Sequence, residues 1–387
     1  FLLALRLTGY LSALVCALFM AVYWLFIYTQ IYLFSESLAM FLNIVLISYL
    51  TFGRDHFRKF LLSGFLFGLS LICRPDILAF ALTVWWGIFR PGPDRKKAPF
   101  FFFTFLSGAF LVLSPVLIRN HQLTGDWLFR EQIGANFYIG NDPGLLGSNI
   151  FLEEGRAWQR FSGMPYREKH PERILSEAEI NDFYFRSTYK NIQEKPLRWL
   201  ALISGKLFAI MTGREFLRPE DVYFRDIYVR NTPVILLSTH IIFVLALGGL
   251  LISWREREKY RLVYALLLSA LCGVFFPAKT VYLVPVMPFV ILFSALSISF
   301  MYHAVIENNK GDRIKVYLIL LCLGLFSSLN PLKLQDPTPA ERYYAMAINF
   351  QALKNYELAE ESFQKALAID PLNCSAWNDL AILYLSR

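Results

Sequence analysis

Long apolar runs separated by short polar loops dominate the first 330 residues of the chain. The runs lie at 10–28, 31–52, 99–118, 233–252, 260–276, 281–300 and 315–330. A helix needs about 20 predominantly apolar residues to cross about 30 Å of hydrocarbon. The pattern therefore predicts an all-α fold: a polytopic transmembrane bundle formed by 1–118 and 233–330, with the polar loop 119–232 outside the membrane.

The apolar stretch between Lys59 and Arg90 contains Arg74-Pro75 near its centre. A single helix of about 30 residues would be about 45 Å long, which exceeds the membrane core. Basic clusters flank the stretch on both sides and favour the cytoplasm, so the chain should cross an even number of times. We predict two short half-spans that meet at Arg74-Pro75, because the residue before a proline is biased out of helix. The alternative is one kinked helix.

The same topology puts the basic loops 254–261 and 307–315 in the cytoplasm. The opposite, external face then carries Glu36, Arg74, Lys279, the loop 119–232 and residues 331–387. We therefore predict a multi-pass protein of the cell (inner) membrane. A cation at membrane depth costs about 2.5–3.5 kcal/mol, so Arg74 should face a wet cavity or an anionic partner.

The composition supports this assignment. Hydrophobic residues make up 56% of the 387 residues and charged residues 18%, and the mean hydropathy is +0.43. The formal net charge of +8 comes from short basic clusters between apolar runs, which is typical of membrane loops and not of a nucleic-acid surface. The sequence contains no Walker loop, dinucleotide fingerprint, metal-spaced His/Cys cluster or acidic D-x-D pair. We therefore predict no metal, no cofactor and a substrate that resides in the membrane.

The external loop 119–232 is predicted to be partly helical. Ser176 and Glu179 have the S-x-x-E spacing of a capping box. The run 195–213 mixes apolar residues with cations such as Lys206. We expect this run to lie in the plane of the interface or to pack over the membrane domain, with an extra span as the alternative.

Residues 331–387 follow a different, repetitive pattern. Tyr343, Met346, Ala347 and Phe350 recur, at an offset of 34 residues, as Trp377, Leu380, Ala381 and Tyr384. This spacing resembles the tetratricopeptide repeat, and a coincidental amphipathic hairpin is the alternative. One repeat and part of another cannot bury a solenoid core. We therefore expect further repeats after Arg387, and also residues before Phe1, where the sequence opens directly into an apolar run.

Several ordered blocks carry a family resemblance. They are SESL (35–38), GLSLICRPDIL (68–78), SPVLIRNHQLTGDW (114–127), GANFYIGNDPGLLG (134–147) and AKTVYLVPVMPFVILFSAL (278–296). They resemble the multispanning GT-C glycosyltransferases that use lipid-phosphate sugars, a family that includes protein O-mannosyltransferases and lipid A aminoarabinose transferases. The resemblance implies inverting transfer of a sugar from a polyprenyl-phosphate donor to a protein, lipid or glycan acceptor on the external face. It also implies a catalytic aspartate in the first external loop, upstream of this chain, so we assign no catalytic residue and expect the chain alone to be inactive.

Arg74 is the first candidate for binding the donor phosphate, because a desolvated guanidinium suits phosphate oxygens. Its alternative is a pair with Asp76 or with a helix-end carbonyl. Tyr282 and Lys279 follow by resemblance, in the motif K-x-x-Y-x-x-P. Snorkelling to the interface is the alternative for Lys279.

Glu36 is a further candidate, although a carboxylate at a helix start is favoured by the helix dipole alone. The remaining candidates are predicted to line the external loop near the site, with capping and turn chemistry as the alternative; they are Arg119, Asn120, Asn136 and Asn141. The leading hypothesis is a membrane glycosyltransferase whose region 331–387 binds a protein partner. A polysaccharide polymerase or ligase would differ only in its acceptor. The hypothesis from another class is a non-enzymatic membrane scaffold or lipid-linked-sugar transporter.

Overall fold

The structure is a computed structural model, and all of its described regular structure is helical. It describes residues 1–31, 34–52, 56–88, 96–124, 127, 133–141, 177–213, 239–276, 280–306, isolated positions between 311 and 325, 338–352 and 354–385. No strand occurs in that part of the chain. The all-α prediction is therefore confirmed there.

The chain divides into two compact units. The membrane unit comprises Phe1–Gly144, Ile174–Glu215 and Leu236–Leu332, and the C-terminal unit comprises Leu145–Arg173, Phe216–Ile235 and Lys333–Arg387. The helices of the membrane unit are α1 (Leu2–Thr8), α2 (Tyr10–Val22), α3 (Trp24–Ile31), α4 (Ser35–Phe52), α5 (Phe57–Cys73), α6 (Phe80–Ile88), α7 (Ala98–Thr124), α8 (Ile133–Asn141), α9 (Glu177–Glu194), α10 (Pro196–Met211), α11 (Thr239–Ser253), α12 (Arg257–Ala270) and α13 (Met287–Ile306). Short 3₁₀ turns cover Pro75–Ala79, Trp254–Glu256, Leu271–Phe275 and Thr280–Leu283.

Several helical stretches are long and apolar enough to cross a membrane. They are Ser35–Phe52, Ala98–Leu123, Thr239–Phe275 and Met287–Ile306, and the pair Tyr10–Val22 and Trp24–Gln30, bent by 54°, would be one more. Their lengths and composition are consistent with the predicted multi-pass membrane protein. The outward surface of α7 is also apolar, since Phe103 is 65% exposed and Phe110 62% exposed.

The predicted break at Arg74 is present. Helix α5 ends at Cys73, and Arg74 adopts an extended conformation with φ −149° and ψ 102°. The rings of Phe67 and Phe80 lie 6.0 Å apart, whereas a straight helix would separate these positions by about 20 Å. The chain therefore turns back at Arg74-Pro75 and forms two helices, α5 and α6, as predicted; that they are half-spans in a membrane stays a prediction.

The start of α5 and the end of α6 both contact the first turns of α7. Phe60 near the start of α5 stacks on Phe101 at 4.4 Å between centroids, and Trp85 near the end of α6 contacts Phe102 at 4.9 Å. Helices α5 and α7 pack closely because Gly64 has no side chain: a Cβ there would lie 1.8 Å from the carbonyl oxygen of Phe105. This close approach is the usual role of small residues between membrane helices.

The 37-residue stretch Thr239–Phe275 folds back on itself at Trp254–Glu256. The hydroxyl of Tyr264 lies 2.6 Å from Ser253 Oγ and donates to the carbonyl of Leu250 at 3.3 Å. No straight helix brings residues 14 positions apart into such contact. The stretch therefore consists of two arms, α11 and α12, as the sequence predicted for 233–252 and 260–276.

The described part of the C-terminal unit consists of α14 (Pro339–Ala352), α15 (Tyr356–Ile369) and α16 (Cys374–Leu385). The three helices share a core of Ala347, Ala359, Phe363, Leu367, Ala376, Leu380 and Leu383. The Tyr344 hydroxyl on α14 donates to Asp379 Oδ2 on α16 at 2.5 Å. A helical hairpin followed by a third helix fits the pattern of small and apolar residues, and its assignment to the tetratricopeptide class stays a prediction.

Helix α7 continues past the predicted boundary at residue 118 and ends at Thr124, with Pro115 inside it. Arg119 and Asn120 are therefore helical, because the polar residues that suggested a loop extend the same helix. Other predictions fall outside the described residues: Ser176 of the capping box, Lys279, most of the span 315–330, most of the basic loop 307–315, and the loop segments 142–176 and 214–238.

Candidate functional site

Three of the predicted site residues meet at one end of the membrane unit. Glu36 lies in the first turn of α4, Arg74 lies at the break between α5 and the following 3₁₀ turn, and Tyr282 lies in the 3₁₀ turn Thr280–Leu283. Helices α4 and α5 pack against each other, and the start of α4 faces the end of α5. Sequence reasoning placed these residues on one face, and the structure places them in contact.

The Arg74 guanidinium is surrounded by carboxylates and one aromatic ring. Its Nη1 donates to Glu36 Oε1 at 2.5 Å, Nε donates to Asp76 Oδ1 at 3.0 Å and Nη2 donates to Asp76 Oδ2 at 3.2 Å. The guanidinium carbon lies 4.3 Å from the ring centroid of Tyr282. We call Glu36, Arg74, Asp76 and Tyr282 the Arg74 cluster.

The Arg74 cluster carries one formal positive and two formal negative charges. The two carboxylates differ in access to solvent, since the side chain of Glu36 is 9% exposed and that of Asp76 37% exposed. The guanidinium has five N–H groups, and the described bonds use three of them. The arrangement can therefore still donate to a ligand, but an anion gains little attraction unless it replaces a carboxylate or is joined by a second cation.

A second polar contact lies deeper along the same two helices. Ser70 Oγ on α5 donates to Asn43 Oδ1 on α4 at 2.9 Å, and Asn43 Nδ2 donates to the carbonyl of Pro285 at 3.2 Å. Asn43 and Ser70 are both buried. Together with the Arg74 cluster they hold the segment that carries Tyr282 at two points.

Sequence reasoning missed Asn43 and Ser70, although a signal was present. Asn43 follows Glu36 by seven residues and Ser70 precedes Arg74 by four, so each shares a helix face with a predicted site residue. Polar residues on one face of an apolar helix are expected to have hydrogen-bond partners.

Asn141 belongs to a different cluster. Its Nδ2 donates to the carbonyls of Phe137 and Phe275, both at 2.7 Å, and its Oδ1 accepts from Trp199 Nε1 at 2.9 Å. Asn141 is fully buried. It therefore joins α8 and α10 to the 3₁₀ turn that ends at Phe275.

Lys206 lies beside this contact, and the sequence gave no sign of its surroundings. Its Nζ donates to the carbonyls of Gly140, Val274 at 3.4 Å and Phe276 at 3.2 Å. The residue is 2% exposed. Burial lowers the pKa of Lys206 to about 8, while the carbonyls favour its ammonium form. We call Lys206 and these carbonyls the Lys206 cage.

The remaining candidates are dispersed. Arg119 is exposed and Asn120 buried near the end of α7, and Asn136 is half-buried on α8. The hydrogen bonds of Arg74 within the described residues go to Glu36 and Asp76. Over the same residues, no group of three or more His, Cys, Asp or Glu side chains is placed to hold a metal ion.

Comparison with known protein families, curated proteins and solved structures finds no match to this chain. The functional argument therefore depends on the residues and geometry of the clusters described above.

Proposed function

We propose that this chain is the donor-binding part of a membrane glycosyltransferase that uses a polyprenyl-phosphate sugar. The observation that carries the proposal is the placement of Arg74. A guanidinium only 13% exposed lies at a break between two half-spans, against a tyrosine and beside the end of a candidate span. Cations are rare at such positions and mark substrate pathways more often than they serve packing.

The donor phosphate would take the place of Asp76 on Arg74. Asp76 is the more exposed carboxylate of the cluster, and its pair with Arg74 spans only two residues of chain. Glu36 would stay in place and, with the ring of Tyr282, hold the guanidinium plane in position. Exchange of one anion for another keeps the charge of the site constant, so it avoids the cost of an uncompensated buried ion.

Other parts of the proposal depend on residues beyond this cluster. Lys279, three residues before Tyr282, is proposed as a second cation for the phosphate. The catalytic base is proposed to lie upstream, as the family resemblance implies. The C-terminal unit is proposed to bind a protein acceptor or partner on the external side, with a lipid or glycan as the alternative acceptor.

A binding titration tests the proposal without requiring the catalytic base. Polyprenyl phosphate is titrated into the chain in phosphatidylcholine nanodiscs and followed by native mass spectrometry. Arg74→Gln should weaken binding about 10- to 100-fold, because charge-assisted hydrogen bonds contribute about 1.5–3 kcal/mol. Arg6→Gln is the matched control, since the Arg6 guanidinium also lies over a ring, 5.0 Å from the centroid of Phe52. Equal binding by wild type and Arg74→Gln rejects the proposal.

One observation favours the non-enzymatic alternative: two carboxylates already compensate Arg74. A scaffold would use the Arg74 cluster only to hold α4, α5 and the Tyr282 segment together. Arg74→Gln would then lower the unfolding temperature and leave polyprenyl-phosphate affinity unchanged. A lipid-linked-sugar transporter would bind the donor but show no sugar transfer when the upstream residues are restored.

A further inference from the structure

The segment that joins α12 to α13 carries Tyr282, and side-chain donors hold it on both sides of that residue. On one side, the Lys206 cage binds the main-chain carbonyls at 274 and 276. On the other side, Asn43 Nδ2 donates to the carbonyl of Pro285 at 3.2 Å. Tyr282 lies three residues before Pro285, so the attachment to Asn43 is the closer of the two.

Between Tyr282 and α13 the main chain forms turns in which an N–H donates to the carbonyl three residues earlier. These bonds join Val286 to Leu283 at 3.0 Å, Met287 to Val284 at 3.3 Å and Phe289 to Val286 at 3.0 Å. The series omits the bond from residue 288 to residue 285, because Pro288 has no N–H. The carbonyl of Pro285 therefore needs a donor from another part of the chain.

Asn43 supplies that donor. Pro285 is buried, and Asn43 is only 1% exposed. A buried carbonyl without a hydrogen bond is costly, so the bond from Asn43 stabilises this backbone arrangement. Ser70 Oγ donates to Asn43 Oδ1 at 2.9 Å, which orients the amide so that its Nδ2 faces Pro285. A chain of hydrogen bonds thus runs from α5 through α4 to the segment before α13.

This chain of bonds holds the segment more strongly than the contact between Tyr282 and Arg74 does. The guanidinium carbon lies 4.3 Å from the ring centroid, and Tyr282 is half-buried. A cation–π contact at such a site contributes less than the penalty for a buried carbonyl that loses its donor. Hydrogen-bonded turns connect Tyr282 to Pro285, so a shift of that carbonyl also moves the ring.

We propose that Asn43 is the positioning residue that places the Tyr282 ring on Arg74, and that Ser70 orients the Asn43 amide. Asn43 acts on Arg74 through Tyr282, since its amide bonds to Ser70 and Pro285. The placement of the ring depends on these contacts alone. Its effect on donor binding rests on the proposed function, in which the ring holds the guanidinium in place for the phosphate.

Fluorine NMR of the ring tests this placement without a ligand. Fluorotyrosine is introduced at position 282 of the chain in phosphatidylcholine nanodiscs, and the signal of Arg74→Gln marks a ring that has lost its cation. Asn43→Leu, which has a similar volume but no donor, should move the signal towards that of Arg74→Gln. Ser294→Ala is the matched control, because it removes another buried hydrogen bond, 2.6 Å long, on α13, and it should leave the signal in place.

Pro288→Ala separates the loss of the donor from a change in packing. It gives residue 288 an N–H that can complete the series of turns and donate to Pro285. Asn43→Leu combined with Pro288→Ala should therefore return the signal to the wild-type position, and Pro288→Ala alone should not move it. If Asn43→Leu alone does not fold, the same combination should recover the folded protein. A packing role for Asn43 predicts neither form of rescue.

The outcomes distinguish this placement from the proposed function. A wild-type signal in folded Asn43→Leu overturns the inference, because Arg74 alone would then hold Tyr282. Failure of Pro288→Ala to restore the signal or the folded protein overturns it in favour of packing. In a titration with polyprenyl phosphate, Asn43→Leu should bind about fivefold more weakly than wild type. A shifted and rescued signal with unchanged affinity supports the placement by Asn43 and counts against the proposed donor site.

Discussion

The Arg74 cluster and the Lys206 cage each surround a cation in the membrane unit, and they do so with different chemistry. Arg74 has two carboxylate side chains and a tyrosine ring around it. Lys206 is 2% exposed and has three main-chain carbonyls as hydrogen-bond partners. At Arg74 the carboxylates balance the charge of the guanidinium. At Lys206 the carbonyl dipoles accept hydrogen bonds from the ammonium group but carry no net charge.

This difference separates a site that can exchange a ligand from one that cannot. A carboxylate on a partly exposed side chain can rotate away and let another anion bind. Carbonyls are fixed by the backbone, so the Lys206 cage is lost only if α8, α10 or the segment 274–276 moves. Arg74 is therefore the residue suited to exchange a ligand, whereas Lys206 holds α10 against α8 and the segment 274–276.

Lys206→Met should give the largest loss of stability. It leaves three buried carbonyls without their donor, and each unsatisfied buried group costs about 1–3 kcal/mol. We expect the free energy of unfolding to fall by at least about 3 kcal/mol, measured by thermal unfolding in detergent micelles. Lys195→Met, at an exposed position next to the same helix, is the control and should change stability by less than about 0.5 kcal/mol. Equal stability of the two variants would contradict the role of the cage.

The pH dependence of Lys206 tests whether burial or the carbonyls dominate. Its pKa in the folded chain, about 8, is below the ordinary value of 10.5. The unfolded chain then binds more protons between these two values, so stability should rise as pH increases from about 8 to 10.5. The gain is at most about 3 kcal/mol, since one pKa unit corresponds to about 1.36 kcal/mol. It should be absent in Lys206→Met, and an unchanged wild-type stability over this range would show that the carbonyls hold the ammonium form.

Much of the helical arrangement could be predicted from sequence, because a helix that can span a membrane appears in the sequence as an uninterrupted apolar run of about 20 residues. The half-spans at Arg74-Pro75 and the turn at 254–256 follow from the positions of cations and proline. The end of α7 could not be placed, because polar residues such as Asn120 continue a helix as readily as they begin a loop.

The two clusters differ in how far sequence predicts them. Charge or motif marks Arg74, Glu36 and Tyr282 in the sequence. The pair between Arg74 and Asp76 was also foreseen, as the alternative to phosphate binding. The partners of Lys206 are main-chain carbonyls at 140, 274 and 276, which every residue possesses. No residue type marks them, so the Lys206 cage is visible only in three dimensions.

Glu36→Gln and Asp76→Asn should separate the two roles within the Arg74 cluster. Glu36 is the more buried partner, and loss of its charge should lower stability by about 2 kcal/mol. Asp76 is 37% exposed, and its pair with Arg74 should contribute less than about 1 kcal/mol. Thermal unfolding of both variants in micelles measures the difference, and the reverse order would show that Asp76 is the structural partner.

The affinity for polyprenyl phosphate tests the role of Asp76 directly. Asp76→Asn removes the anion that the donor is proposed to replace, so polyprenyl phosphate should bind about tenfold more tightly, equivalent to about 1.4 kcal/mol. Asp182→Asn, at an exposed position on α9, is the matched control and should leave affinity unchanged. Weaker binding by Asp76→Asn would mean that Asp76 positions Arg74 and does not compete with the phosphate.

Trp199→Phe should give the smallest effect, because it removes one hydrogen bond and keeps an aromatic ring. The bond from Trp199 Nε1 to Asn141 Oδ1, 2.9 Å long, should contribute about 1 kcal/mol. Phe at this position still stacks on Phe275, and the Lys206 bonds persist, so α10 should stay attached to the α12 arm. Thermal unfolding measures this energy. A loss of stability as large as that expected for Lys206→Met would show that Trp199, and not Lys206, holds α10 against the end of that arm.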